Sequence, residues 1–517
     1  MRMKKDLVVI SNRLPLSFET SPDGLKVRQS SGGLVTALEP LLRKHGGIWI
    51  GSAGTDNDPR IREELTRQSK AHHYRYEPIA LTLEEHAKFY EGFSNEIIWP
   101  LFHDLQSRCN FDPSYWEFYL QVNKRFAECA AKAATKDSLI WINDYQLMQV
   151  AAHLRKKMPK ARLVFFLHIP FPPPDIYEKL PWGRQVLEGL LAHTLVGLQT
   201  ARDVRNFLSC LRTFLPDAGI VRGAGDIRTV HYAGHETTVG AFPISIDFED
   251  FEQASDSDEV RRRASVLRTM QGQELTTILG IDRLDYTKGI PERLKSYALF
   301  LKQNPKLHRR CSFVQIVVPS RENIPGYRLL KAEIEQLISQ VNGEYAVPGW
   351  VPINYVHRSL ARTELLALYR TSRVAFITPL KDGMNLVAKE YCACRHDNDG
   401  VLILSEFAGA ATELKLGGSG ALLVNPYDQS AVAAALAEGL TMGIPEQKRR
   451  MTRLRNQIRK SNLGAWLESF LSHGGSAPSA DPHAERPAQS HRSERRAEHR
   501  SEQRLERRDR PEETTTA

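Results

Sequence analysis

Two cations stand five positions apart in Asp282-Arg283-Leu284-Asp285-Tyr286-Thr287-Lys288-Gly289, after a β-branched apolar run and before an amphipathic stretch. At a strand end such a pair suits a diphosphate, because arginine forms paired charge-assisted bonds and lysine supplies a mobile point charge. A surface ion-pair set with Asp282 and Asp285 fits the same spacing. The second candidate is Lys381-Asp382-Gly383-Met384-Asn385-Leu386-Val387, followed by Ala388-Lys389-Glu390. Gly383 permits close backbone approach, the first amides of the next helix can hold an anion, and Glu390 can accept hydrogen bonds from a ribose. The alternative there is structural, with Asp382 and Asn385 capping the helix.

Asp144 follows the run Ile140–Asn143, and His168 ends Leu163–Leu167. A carboxylate and an imidazole at neighbouring strand ends can hold sugar hydroxyls or move protons, although a lone histidine also suits a core or cap. The proline-rich Pro170-Phe171-Pro172-Pro173-Pro174 fixes the loop after His168. Ser31-Gly32-Gly33-Leu34 reads as a turn unless a phosphate or sugar approaches it. Neither a Walker loop nor a G-x-G-x-x-G fingerprint after a strand occurs.

Short apolar runs must carry these residues: Leu7–Ser11, Ile48–Gly51, Leu139–Asn143, Leu163–His168 and Leu195–Leu198, then Thr277–Ile281, Phe313–Val318, Val374–Thr378, Val401–Ser405 and Ala421–Val424. Most lack alternation. They are separated by amphipathic stretches such as Gln146–Lys157 and Pro291–Gln303, as a parallel sheet covered on both faces requires. Pro216–Asp226 and the polar Asp247–Asp258 read as connections between two strand groups, with the junction near residue 245. Ligands bind such pairs of doubly wound domains in the cleft at the strands' carboxyl ends.

The 517 residues and ordinary composition fit two or three domains and exclude collagenous, coiled-coil and largely disordered classes. The net charge of +9 is spread along the body, since nine arginines in 481–517 are balanced by nine acidic residues. A diffuse basic balance suits anionic small molecules better than nucleic acid. Six scattered cysteines read as reduced thiols, and no run reaches a membrane span or a signal-peptide core, so a cytoplasmic enzyme is expected. After Gly474 the chain is nearly devoid of apolar residues and is expected to be disordered.

Read together, the motifs resemble the trehalose-6-phosphate synthase family, retaining glucosyltransferases of the GT-B fold. They are Ser11-Asn12-Arg13, Ser31-Gly32-Gly33-Leu34, Phe93-Ser94-Asn95 with Trp99-Pro100, His168-Ile169-Pro170-Phe171-Pro172, Arg283-Leu284-Asp285-Tyr286 with Lys288-Gly289, and the run Asp382 to Glu390. The resemblance implies an α/β chain of two Rossmann-like domains facing a central cleft: 1–245 for the acceptor, 246–455 for the nucleotide sugar, a helix in 456–473 returning to the first, and the tail 474–517.

It implies transfer of glucose from UDP-glucose to glucose 6-phosphate, with no cofactor, metal, nucleic acid or membrane partner; a homo-oligomer is left open. Another phosphorylated acceptor, such as glycerol 3-phosphate, or a non-catalytic sugar-phosphate sensor are the alternatives. Asp144, His168, Arg283, Lys288 and Asp382 are the implied catalytic set. Donor contacts fall on Gly33, His168, Arg283, Lys288, Asp382, Gly383, Met384, Asn385, Leu386, Val387 and Glu390. Acceptor contacts fall on Arg13, Trp49, Tyr90, Trp99, Asp144 and Arg321. One departure stands out: many members have His-Asp-Tyr-His-Leu where this chain has Asn143-Asp144-Tyr145-Gln146-Leu147.

Overall fold

The computed structural model of the chain describes residues 7–21, 24–29, 33–54, 58–271, 275–321 and 324–474. The strands are, in chain order, β1 (Leu7–Arg13), the hairpin β2 (Leu16–Ser21) and β3 (Gly24–Gln29), β4 (Ile48–Ser52), β5 (Arg75–Ile79), β6 (Leu139–Asn143), β7 (Arg162–Phe166), β8 (Leu195–Leu198), β9 (Gly219–Arg222), β10 (Arg228–Tyr232) and β11 (His235–Ala241). Six more follow: β12 (Thr276–Arg283), β13 (Cys311–Val318), β14 (Ile353–Val356), β15 (Val374–Ile377), β16 (Val401–Ser405) and β17 (Leu422–Val424).

Among the described residues two sheets carry the architecture, one of nine strands ordered β5-β4-β1-β6-β7-β8-β11-β10-β9 and one of six ordered β14-β13-β12-β15-β16-β17. All pairs are parallel except those of β10 with β9 and β11, and helices occupy the crossovers. The central strands are buried along nearly their whole length, and that is why their sequences run apolar without alternation. This is the expected α/β, GT-B arrangement, and each apolar run named from the sequence lies on one of these strands.

Two stretches read as connections are regular structure. Gly219–Arg222 is the edge strand β9, mostly exposed and antiparallel to β10; its apolar pair Ile220-Val221 is too short a run, between Gly219 and Arg222, to mark a strand. Phe248–Ser255 is a helix whose start is capped by Asp247, which accepts from Asp250 N at 3.0 Å. Its single deep anchor, Phe248, lies under Arg455 and Arg459.

The helix Leu463–His473 packs against the first sheet, with Trp466 and Phe470 on Trp141 at centroid distances of 5.7 and 4.8 Å. Gly197 makes room, since a Cβ there would meet Phe470 at 2.5 Å. Leu463 N donates to Ile246 O at 2.8 Å, tying this return to the outgoing connection. The expected tail, Gly474 excepted, and Ser31-Gly32 lie outside the described residues.

Candidate active site

Arg283 is the last residue of β12, and a short turn, Tyr286–Lys288, carries the second cation. Asp285 caps that turn, accepting from Thr287 N at 3.0 Å, and Gly289 at φ +62° starts the helix Ile290–Gln303. Among the described residues neither aspartate forms a direct ion pair with these cations. Asp282 pairs with buried Arg293, while Asp285 faces Arg321 at 3.6 Å and accepts from the Trp99 indole at 3.3 Å. Among the described residues Arg283 has no ion-pair partner, and Lys288 Nζ meets Asp382 Oδ2 at 2.6 Å.

The loop after β15 holds Asp382 to Asn385. Asn385, at φ +82°, caps the helix Leu386–Ala393 by accepting from Ala388 N at 3.0 Å, and its amide donates to Asp382 Oδ2 at 3.1 Å. Of the two capping candidates, then, Asn385 caps and Asp382 is held by Lys288. Burial pushes the Asp382 carboxyl up, but Lys288, with His103 and Asn385 beside it, more than offsets this and holds the group below the usual carboxylate range. Gly383 is required: a Cβ there would lie 2.3 Å from His168 O, and one on Gly409 would lie 1.9 Å from Gly383 O. Met384 is buried beside it, its carbonyl accepting from Ala410 N at 2.8 Å.

Leu386, Val387 and Glu390 line a cavity of about 430 Å³ together with Arg283, Arg362 and Tyr369. The helix begins at this cavity, so its partial positive end adds to the charge of Arg283. Glu390 accepts from the Tyr369 hydroxyl at 2.9 Å, and burial pushes its carboxyl up. A wider groove of about 660 Å³ lies beside β5, but no candidate residue lines it.

Asp144 and His168 sit at the ends of β6 and β7. Asp144 adopts φ +74°, a strained value for an aspartate, with its amide donating to Phe166 O at 2.9 Å and Oδ1 accepting from His168 N at 3.1 Å. Burial pushes its carboxyl up to about 6. His168 is pushed down to about 3 by burial, so its ring is neutral, and Nε2 is buried with no hydrogen-bond partner among the described residues. The proline-rich loop behind it is fixed by Asp203, which accepts from Phe171 N at 2.9 Å.

A second cationic cluster faces this one. Arg13 lies 5.1 Å from the Tyr90 ring, and the Trp99 ring carries Arg321 at 4.3 Å and Arg283 at 5.8 Å. Burial alone would push the Tyr90 hydroxyl up, yet Arg321, Arg13 and Arg283 hold it below its usual value. Three guanidinium groups around one phenol give this cluster the charge to meet an anion.

Trp49 does not join the cluster. Fully buried, it donates its indole N–H to Ser11 Oγ at 2.8 Å and packs on Tyr74. Alternation along β4 turns it to the core face, and this corrects the acceptor contact expected for it. Gly33 opens the helix Gly33–His45. Asn143 is likewise buried, donating to Ile10 O at 3.2 Å, so its change from histidine lies within the sheet. The sequence reading gave no role to Tyr145, Tyr327 or His103. Tyr145 and Tyr327 hydroxyls accept from Arg321 at 3.2 and 2.7 Å, and His103 bonds the Trp99 carbonyl at 2.6 Å. Only Tyr145, inside a quoted motif, carried a signal.

Residues 5–474 match the model of glycosyltransferase family 20. The chain belongs to glycosyltransferase family 20. A trehalose-6-phosphate synthase of Mycobacterium leprae is 42% identical over 482 residues, covering 92% of this chain and 96% of the relative. A crystal structure of an α,α-trehalose-phosphate synthase (UDP-forming) from Burkholderia xenovorans, in complex with glucose 6-phosphate, aligns with TM-score 0.81 at 32% identity, covering 91% of this chain and all of that one. An E. coli structure described as bound with UDP-2-fluoro glucose aligns with TM-score 0.80 at 32% identity, covering 91% and 99%.

Proposed function

We propose that this chain transfers glucose from UDP-glucose to glucose 6-phosphate with retention, releasing UDP and α,α-trehalose 6-phosphate. The observation that carries the reading is the pair of cationic clusters sharing Arg283 and Trp99, one opening on the cavity with Glu390 and one on Tyr90 and Arg13. One anionic substrate meets each. The two relatives' complexes, one with glucose 6-phosphate and one with a UDP-sugar analogue, support the same pairing. We assign 1–245 to the acceptor and 246–455 to the donor; of the expected 456–473, the part that returns to the first sheet is the helix Leu463–His473, while the preceding helix runs on to Lys460.

Arg283 and Lys288 hold the diphosphate, the start of helix Leu386–Ala393 adds its amides, and Glu390 takes the ribose. Met384, Gly383 and the carbonyl-lined loop beside Asp382 shape the glucose site, and the neutral His168 ring accepts or donates one hydroxyl bond. As the glycosidic bond breaks, charge develops on UDP, where preorganised cations stabilise it most. The acceptor hydroxyl approaches on the same face and passes its proton to the departing phosphate. Asp382, held by Lys288 and Asn385, orients the sugar and the lysine. Asp144 accepts from an acceptor hydroxyl, and Arg13 and Arg321 hold its phosphate. The scheme calls for no cofactor, and a cytoplasmic location completes the proposal.

The test is UDP release from the purified chain with UDP-glucose, comparing glucose 6-phosphate, glycerol 3-phosphate and no acceptor. Release that requires glucose 6-phosphate is expected. Release with glycerol 3-phosphate alone, or none with any acceptor, overturns the reading.

A further inference from the structure

The acceptor cluster rests on a backbone segment of rare geometry. His86–Ile98 winds as a π-helix of 13 residues, whereas such winding is mostly confined to single turns and concentrates at functional sites. Two buried side chains reach back over the same five-residue step: Ser94 Oγ donates to Phe89 O at 2.8 Å, and Asn95 Nδ2 donates to Tyr90 O at 2.8 Å. With its nitrogen committed to a carbonyl, the Asn95 oxygen can only accept. The Tyr145 hydroxyl donates to that oxygen at 2.9 Å, which leaves only its lone pairs for Arg321, whose Nη2 donates at 3.2 Å.

Every bond direction is therefore set, from Arg321 through Tyr145 to Asn95, and from Asn95 to the backbone of Tyr90. The Tyr119 hydroxyl fixes the middle link by donating to Tyr145 O at 2.8 Å. Arg321 is held at its far side too, with Nη1 donating to the Tyr327 hydroxyl at 2.7 Å and its face on Trp99. Arg321 leaves the second sheet after β13, while Tyr90, Asn95 and Tyr145 belong to elements around the first. Asn95 thus touches both the backbone of the tyrosine facing Arg13 and the chain that aims Arg321.

We propose that Asn95 and Tyr145 are positioning residues for the sugar-phosphate acceptor, setting the direction of Arg321 against the Tyr90–Arg13 pair across the cleft. The inference rests on the acceptor reading above. Neither residue touches the acceptor; each acts through Arg321 and Tyr90. A purely structural role for the same chain would lower stability without changing how the two substrates are discriminated.

The experiment is steady-state kinetics of Tyr145→Phe, Asn95→Leu, the double variant and Arg13→Ala, with melting temperatures. Loss of the Tyr145 bond to the charged Arg321, directly in Tyr145→Phe or through the freed Tyr145 hydroxyl in Asn95→Leu, raises the KM for glucose 6-phosphate about ten-fold or more in each single variant. The KM for UDP-glucose and kcat stay within about three-fold, since neither residue lies in the donor cavity. The double variant is no worse than the worse single one, because both cut one chain. A lowered melting temperature with unchanged KM, or fully additive losses, overturns the proposal. Should Asn95→Leu not fold, Tyr145→Phe decides alone, as it removes one oxygen and keeps every ring contact. If Arg13→Ala leaves the KM unchanged, the acceptor site itself is misassigned and the proposal falls with it; if Arg13→Ala raises the KM and Tyr145→Phe does not, only the positioning role falls.

Discussion

Gly383→Ala is the sharpest perturbation of the cleft. The added Cβ would sit 2.3 Å from His168 O and 3.1 Å from Ile169 Cα, short by about 1 Å of ordinary contact, which begins at 3.4 Å. Gly383 cannot retreat into its own half. Gly409 packs against its carbonyl, and Gly409 N and Ala410 N donate to Asp382 O and Met384 O at 3.1 and 2.8 Å. The gap must therefore open towards His168 and carry Asp144, whose Oδ1 accepts from His168 N, away from Asp382. A misplacement of ~1 Å in a reacting geometry costs on the order of 100-fold in rate. The expected result is a kcat/KM for glucose 6-phosphate lower by about 100-fold in a UDP-release assay. UDP binding by calorimetry stays within about three-fold, since Arg283, Lys288 and the 430 Å³ cavity move together. Wild-type turnover, or equal losses of UDP affinity and turnover, would refute the reasoning.

Arg283→Ala should lower kcat/KM by on the order of 100- to 1,000-fold, as removal of one preorganised charge-stabilising group does; near-normal turnover would exclude its phosphate role. With its carboxyl raised to about 6, Asp144 is ionised above that pH and loses its acceptor capacity as pH falls through it. The acceptor phosphate titrates near 6 as well, so the acid limb of log kcat/KM should approach a slope of two in the wild type and one in Asp144→Asn; identical slopes would count against the carboxylate. Because its folded value lies above the unfolded one, ionised Asp144 also costs stability above pH 6, so Asp144→Asn should raise the melting temperature more at pH 8 than at pH 4. Lys389 is fully buried between Glu413 and Ile244 O, its bond to the latter 3.0 Å. Removing its charge in Lys389→Met strands Glu413 and should cost about 3 kcal/mol in denaturant unfolding; an unchanged midpoint would show that the pair contributes nothing.

Much of the framework was legible in the chain because burial on both faces of a parallel sheet writes itself as an uninterrupted apolar run. β1, β6, β7, β12, β15 and β16 could be named for that reason, and with them the strand-end positions of Asp144, His168 and Arg283. Exposed or short elements left no such mark: β9 faces solvent, and the helix Phe248–Ser255 is anchored by one phenylalanine. The π-helix was also invisible, since its side-chain bonds run to carbonyls five residues back and no local periodicity records them.

At the site, residue type and order named the cations, the glycine at position 383 and the terminal carboxylates, because chemistry at a strand end is local. Which charge answers which was settled only in three dimensions. Lys288 turns to Asp382, 94 residues away, whereas Asp282 and Asp285, its near neighbours, are taken by Arg293 and Arg321. Trp49, though close in sequence to the cleft, faces the core because the pleat turns alternate side chains to opposite faces. Spacing along a chain fixes what a segment can present; the partner that satisfies a buried charge is chosen by proximity after folding, and sequence distance carries no record of it.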